Sequence, residues 1–181
     1  EVIATLDTEH AKYAEADYRA AQWKNITDAY DNAKNGINAV TVITALPGNF
    51  VATFTATASA QKTNAQLTAE ELAAKKAEVL QNLKAAYDGI DLTLYRETEK
   101  NAITAKYEER KAAINAVTDI ANLPGTFVTD FNAFVATQKT NAQLTAEELA
   151  AKKAEVIGKL DEAKARYAEA DYRAAQWKNI T

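Results

Sequence analysis

Few residues in this chain could do chemistry. His10 is the single histidine. As a base or a metal ligand it would need carboxylates or a second imidazole beside it, and helical bundles that bridge metals use Glu-x-x-His on inward faces. No such pattern occurs, and at the corresponding places 77 and 154 residues on stand Tyr87 and Lys164. Without cysteine there is no thiol nucleophile, no disulfide and no thiolate zinc site. No glycine-rich phosphate loop and no serine matched to a base is present. Glu70-Glu71 and Glu147-Glu148 are explained by a helix N-terminus, whose dipole favours acidic side chains. Leu123-Pro124-Gly125-Thr126 lacks the glycine that a sortase signal needs next, Phe127 standing there instead, and reads as a turn. The one aromatic grouping outside the predicted bundle cores is Tyr13, Tyr18 and Trp23, repeated as Tyr167, Tyr172 and Trp177. Tyr18, Trp23, Tyr172 and Trp177 could anchor a ligand; packing at a seam between successive bundles is the preferred reading. We therefore expect a non-enzymatic chain with no catalytic residue, no cofactor and no metal.

The elements that would position these residues follow from one string. QKTNAQLTAEELAAKKAEV occupies 61–79 and recurs letter for letter at 138–156, an offset of 77. The same shift carries Leu46-Pro47-Gly48 onto Leu123-Pro124-Gly125, Phe50 onto Phe127 and Phe54 onto Phe131. A shift of 154 carries Tyr13–Thr27 onto Tyr167–Thr181 unchanged. Self-similarity at a fixed period is the signature of a tandem array, here a little over two units.

Within a unit, Thr68-Ala-Glu-Glu71 and Thr145-Ala-Glu-Glu148 fit a capping box, with Leu67 and Leu72, or Leu144 and Leu149, at staple spacing. From there Val79, Leu83, Tyr87, Ile90 and Leu94 form one helical face, and Ile103, Tyr107, Ile114 and Val117 form another about half a turn out of phase. The intervening residues hold no proline. The spacing thus predicts one uninterrupted helix from Ala69 to Ala121, with Gly36 and Gly89 tolerated inside such helices because the other copies carry alanine, lysine or arginine there. The helix should end near Ala45 or Asn122, ahead of Pro47 or Pro124. Phe127, Phe131, Phe134 and Val135 then predict a short helix over 126–138. Thr57 and Ala58 stand where the second copy has Phe134 and Val135, which thins the first core. The expected fold is all-α: tandem antiparallel three-helix bundles joined by long continuous shared helices into an elongated rod. Its parts would be 1–23, the end of a preceding repeat and its linker helix; 24–94, the first bundle; 95–102, a helical linker; 103–171, the second bundle; and 172–181, the start of the next repeat.

The formal charge of −4 is evenly spread, residues 12–88 carrying eight basic and eight acidic side chains and residues 89–165 ten and twelve. No basic stripe for nucleic acid results. No apolar run approaches the roughly 18 residues of a membrane span. Leu67, Thr68, Glu70, Glu71 and Val79, with Leu144, Thr145, Glu147, Glu148 and Val156, carry a motif that resembles the helical repeats of giant Gram-positive cell-surface proteins of the staphylococcal extracellular-matrix-binding type. The pattern of connections is similar to that of spectrin repeats. The resemblance implies an extracellular, cell-wall-attached chain; a monomer is expected, whose partners are neighbouring repeats of its own chain, with a host matrix or plasma protein as a further candidate. Its expected function is a rod-like stalk that projects another domain. The alternative is an adhesive module that holds a host matrix or plasma protein through array avidity.

Overall fold

The computed structural model describes residues 1–46, 48–123 and 125–181. Among them the chain is helical, with single 3-10 turns as connectors and no strand. The helices are α1 (Val2–His10), α2 (Ala20–Asn38), α3 (Phe50–Ser59), α4 (Asn64–Asp88), α5 (Glu97–Ala116), α6 (Phe127–Thr137), α7 (Asn141–Lys164) and α8 (Ala174–Ile180). The period of 77 governs them: α2, α3 and α4 return as α5, α6 and α7. The 3-10 turns at Glu15–Asp17, Leu92–Leu94 and Glu169–Asp171 share one place in the repeat, and those at Ile43–Ala45 and Ile120–Asn122 share another. The chain divides into two compact units, Glu1–Glu78 with Thr118–Leu123, and Val79–Val117 with Pro124–Thr181. The division falls inside α4.

The uninterrupted helix expected from Ala69 to Ala121 is not formed. α4 stops at Asp88, a 3-10 turn occupies Leu92–Leu94, and α5 starts at Glu97. The same interruption separates α1 from α2, and α7 from α8, where alanine stands opposite Asp88 and lysine or arginine opposite Gly89. Glycine is therefore not its cause. The cause is the half-turn slip between the two apolar stripes. A straight helix would send Val79 and Leu83 to one side and Ile103 and Ile114 to the other. With the helix broken, all four are buried, at 2%, 0%, 0% and 0% exposure, in the second unit, together with Phe131. The first unit buries the equivalents of all but Val79, whose counterpart Val2 is half-buried: Leu6, Ile26, Ile37 and Phe54, with Ala33 and Ala58, form its core from α1, α2 and α3.

The other expected helix ends also shift. α2 stops at Asn38 and α5 at Ala116, well short of Ala45 and Asn122, because Val40-Thr41-Val42 and Val117-Thr118 are β-branched and lose side-chain freedom in a helix. The prolines expected to end these helices, Pro47 and Pro124, lie outside the described residues. Gly48 and Gly125 behind them have φ of 53° and 54°, a left-handed backbone that glycine adopts without steric cost. The short phenylalanine helix is present as α6, and as α3 in the first copy.

The capping box lies one turn earlier than the motif indicated. In α7 the Thr140 hydroxyl accepts from the Gln143 amide, and the Gln143 side chain accepts from the Thr140 amide at 2.8 Å. Thr63 and Gln66 repeat this at the start of α4. Thr68 and Thr145 sit a turn inside their helices. We predict that Thr63→Ala and Thr140→Ala each lower stability by about 1 kcal/mol, the usual worth of an N-cap hydroxyl. Thr68→Ala should leave stability unchanged or slightly raised, since alanine is the better helix former. Urea denaturation of the three variants checks this.

Candidate functional site

The interruption between helices is fastened by side chains from far along the chain. Arg19, which opens α2, lays its guanidinium fork on the Glu71 carboxylate at 2.5 and 2.8 Å. Asn64, the first residue of α4, donates to the Ala16 carbonyl in the 3-10 turn at 3.0 Å. The second unit repeats both contacts. Arg96 pairs with Glu148 through both Nη atoms, its Nη2 reaching Glu148 Oε2 at 3.0 Å and the Thr145 hydroxyl at 3.3 Å, and Asn141 donates to the Thr93 carbonyl at 3.2 Å. The glutamates expected to serve a helix N-terminus thus serve this joint instead. The hydrogen bonds from Arg19 and Arg96 hold the Glu71 and Glu148 carboxyls below their ordinary range and raise the two guanidiniums. Planar two-point pairing makes arginine the suitable cation here. Glu70 and Glu147 are engaged separately by Lys62 and Lys139, both at 2.7 Å.

Beside the joint lies a stack of rings. Tyr18 and Trp23 are half-buried and stacked, their ring centres 6.4 Å apart, and Trp23 packs against the core of the first unit. His10 lies 5.8 Å from Trp23 and 4.2 Å from Tyr30, nearly parallel to both, with Nε2 buried and without a hydrogen-bond partner. Its counterpart Tyr87 stacks on Tyr107 at 4.4 Å and shares a hydrogen bond with Thr104. The ring contact therefore persists while the residue changes. Burial, and then the neighbouring Tyr13 and Asp17, push the Tyr18 phenol up. Tyr172 and Trp177 keep the same stack at 6.2 Å, with Tyr172 exposed and Trp177 half-buried. The structure thus pairs Tyr18 with Trp23 and Tyr172 with Trp177. Among the described residues no cluster of three metal-ligating side chains occurs, and no helix is long and apolar enough to cross a membrane.

A concave feature that sequence reasoning did not single out lies between α2 and α3. It is a groove of about 600 Å³ with Ala29, Ala33, Phe50 and Phe54 among its walls. Asn25, Asp28, Asn32, Asn49, Thr53, Thr57 and Gln61 complete its lining. Four residues on facing helices make it: Ala29 and Ala33 on α2, Thr53 and Thr57 on α3. Their counterparts in the second unit are Lys106, Arg110, Asp130 and Phe134. There the Lys106 ammonium lies 5.7 Å from the centre of the Phe134 ring, and Arg110 donates to Asp130 at 3.2 Å, so long side chains bridge α5 and α6. The signal was the 77-residue alignment itself, although only the fold shows that the four positions face one another.

No family of known proteins, no curated protein and no solved structure matches this chain.

Two predictions follow from the joint and the stack. Because the folded Glu71 carboxyl sits below its unfolded value, its contribution is complete above the ordinary carboxylate range and is lost as pH falls through the depressed folded value. Glutamine carries no titrating carboxyl, so the stability gap between wild type and Glu71→Gln, present at neutral pH, should shrink below about pH 4. Glu148→Gln should behave alike, and urea denaturation across pH checks both. Trp23→Ala should cost about 1 to 3 kcal/mol, less than a fully buried tryptophan, as read from thermal melts.

Proposed function

We propose that this chain is a non-enzymatic structural repeat of a bacterial surface protein, one that joins near-identical units end to end into a rod-like stalk projecting another domain from the cell wall. Three-helix bundles of adjoining units, linked through helices they share, would form the rod. Its partners are the neighbouring repeats of the same chain. The observation that carries this reading is the contrast between α4 and its copy α7. On α4, Val79 and Leu83 are buried in the second unit, at 2% and 0% exposure. On α7 the same face, Leu149, Val156, Ile157 and Leu160, stands 55%, 55%, 57% and 67% exposed. An apolar stripe of that length on a helix calls for a partner, and the partner that covers its twin is the α5 and α6 region of a repeat. The fastenings at Arg19 and Arg96 support the same reading, since an array needs every joint built alike. The placement at a Gram-positive cell wall rests on the resemblance carried by Leu67, Thr68, Glu70, Glu71 and Val79 and their copies.

The test is a chain lengthened by one period, made by repeating residues 105–181 after Thr181. Small-angle scattering should show the longest dimension growing by a full unit, and hydrogen exchange should slow in α7. A longer chain no more extended than this one, with α7 exchanging as before, would overturn the stalk.

A further inference from the structure

We propose that the α2–α3 groove of the first unit is a recognition site for an extended peptide segment that presents an aromatic side chain. The second unit supplies the argument for the occupant. On the same scaffold the corresponding positions carry the molecule's own Phe134 ring, with the Lys106 ammonium over it, and the Arg110–Asp130 bridge. In the first unit Thr57, Ala29 and Ala33 withdraw these groups, while Phe54 below remains fully buried and half-buried Phe50 remains in the wall. What is missing is one aromatic ring. The Phe50 ring rests against Gly36, where an added Cβ would lie 2.7 Å from it, so the glycine gives that wall its seat; Ala113 stands at the corresponding place in the second unit.

The lining specifies the rest of the ligand. The only charged member of the wall is Asp28, already paired with Lys24 at 2.6 Å. The remaining polar groups are carboxamides and hydroxyls. A carboxamide carries the donor and acceptor of a peptide group and matches one in two-point fashion. Asn25 and Asn32 stand two turns apart on α2, about 10 Å along the helix axis, or about three residues of extended chain. Asn25 already donates to Gln61 at 3.1 Å and closes one end of the groove. Among the described residues the Asn32 side chain has no hydrogen-bond partner, and Asn49, at the start of α3, does not cap its own helix. Both are available to a peptide backbone, while the ring enters between Ala29, Ala33 and Phe54. The volume of about 600 Å³ lies within the range of ligand pockets. This site is independent of the stalk reading, which stands whichever way the following experiment falls.

The probe is the capped peptide acetyl-Gly-Ala-Phe-Ala-Gly-amide, titrated into the 181-residue chain and followed by backbone amide chemical shifts. Saturable shifts are expected at Asn32, Ala33 and Thr53, and not at Glu109, Arg110 and Asp130. The peptide with alanine in place of phenylalanine should bind about tenfold more weakly or worse, as for the loss of an anchoring ring. A variant carrying Ala29→Lys, Ala33→Arg, Thr53→Asp and Thr57→Phe imports the second unit's bridge and should lose the peptide. Its circular dichroism melt reports whether it folds, and Thr57→Phe alone, which fills the ring position, serves as the second variant. The proposal is overturned by equal binding of both peptides, by equal shifts in the two units, by retained binding in a folded bridged variant, or by no saturable shift. Maltotriose moving the same amides while the peptide does not would also overturn it and make the groove a sugar site.

Discussion

The half-turn slip between two apolar stripes decides the course of the chain. Val79 and Leu83 lie on one helical face and Ile103 and Ile114 on another, yet one core has to receive all four. Helix propensity sets only a weak obstacle to running straight on, since between Asp88 and Glu97 Gly89, Ile90, Asp91 and Thr93 disfavour a helix by no more than about 1 kcal/mol each. Burying four large aliphatic side chains is worth about 1.5 to 3 kcal/mol each, against the loss of a few helical hydrogen bonds, each with a net worth of about 1 kcal/mol. Burial wins, and the helix breaks. The connector then has polar backbone to satisfy, and it is at that connector that Asn64 and Asn141 place their amides and Arg19 and Arg96 their guanidinium forks.

The two units keep the large side chains of their interiors and differ around them. Leu6 and Leu83, Ile26 and Ile103, Ile37 and Ile114, Phe54 and Phe131 are the same residue types at the same repeat positions, all buried. Change falls around these four and at two smaller core positions, Ala33 and Ala58, whose counterparts are Arg110 and Val135. Asp91 and Asp119 accept from backbone amides at the 3-10 turns of the second copy, where the first has Ala14 and Val42. Ionic and cation–ring bridges across α5 and α6 replace the alanines and threonines of α2 and α3. A fixed core with a variable shell lets near-identical units carry different surfaces on one frame.

Much of this was legible in the letters. The period of 77, the phenylalanine helices and the buried positions Leu83, Ile103, Ile114 and Phe131 follow from spacing. The interruption did not, because two of its three copies hold neither glycine nor proline, and the phase slip that causes it is equally consistent with a straight helix whose two halves face different cores. The cap was misplaced by one turn because Thr63-Asn-Ala-Gln66 and Thr68-Ala-Glu-Glu71 both satisfy the same pattern. The glutamates of the second were taken by Arg19 and Arg96, partners 52 residues away that no local motif can reveal. The repetition of Tyr18 and Trp23 marks them in the letters, whereas the stacking of His10 on Tyr30 and Trp23 shows only in the fold. The groove needed the fold, since Ala29, Ala33, Thr53 and Thr57 are unremarkable until α2 and α3 bring them face to face.

The recurrence of one helical face has a further effect on how such a chain finds its own partners. Glu1-Val2-Ile3 and Leu6 on α1 return as Glu155-Val156-Ile157 and Leu160 on α7. Two helices with the same apolar face therefore compete for one slot on α2 and α3, and among the side chains that enter it the His10 ring, which Lys164 replaces on α7, is the main distinction. Chain connectivity adds another: α1 reaches the slot across nine residues. α7 must close a loop of about a hundred, a difference of about 2 kcal/mol in loop entropy. Correct pairing is thus favoured by tether length together with the His10 stack. Entry of α7 from another molecule would have to displace the tethered α1 and also bear the entropy of association, so it is favoured only at high concentration.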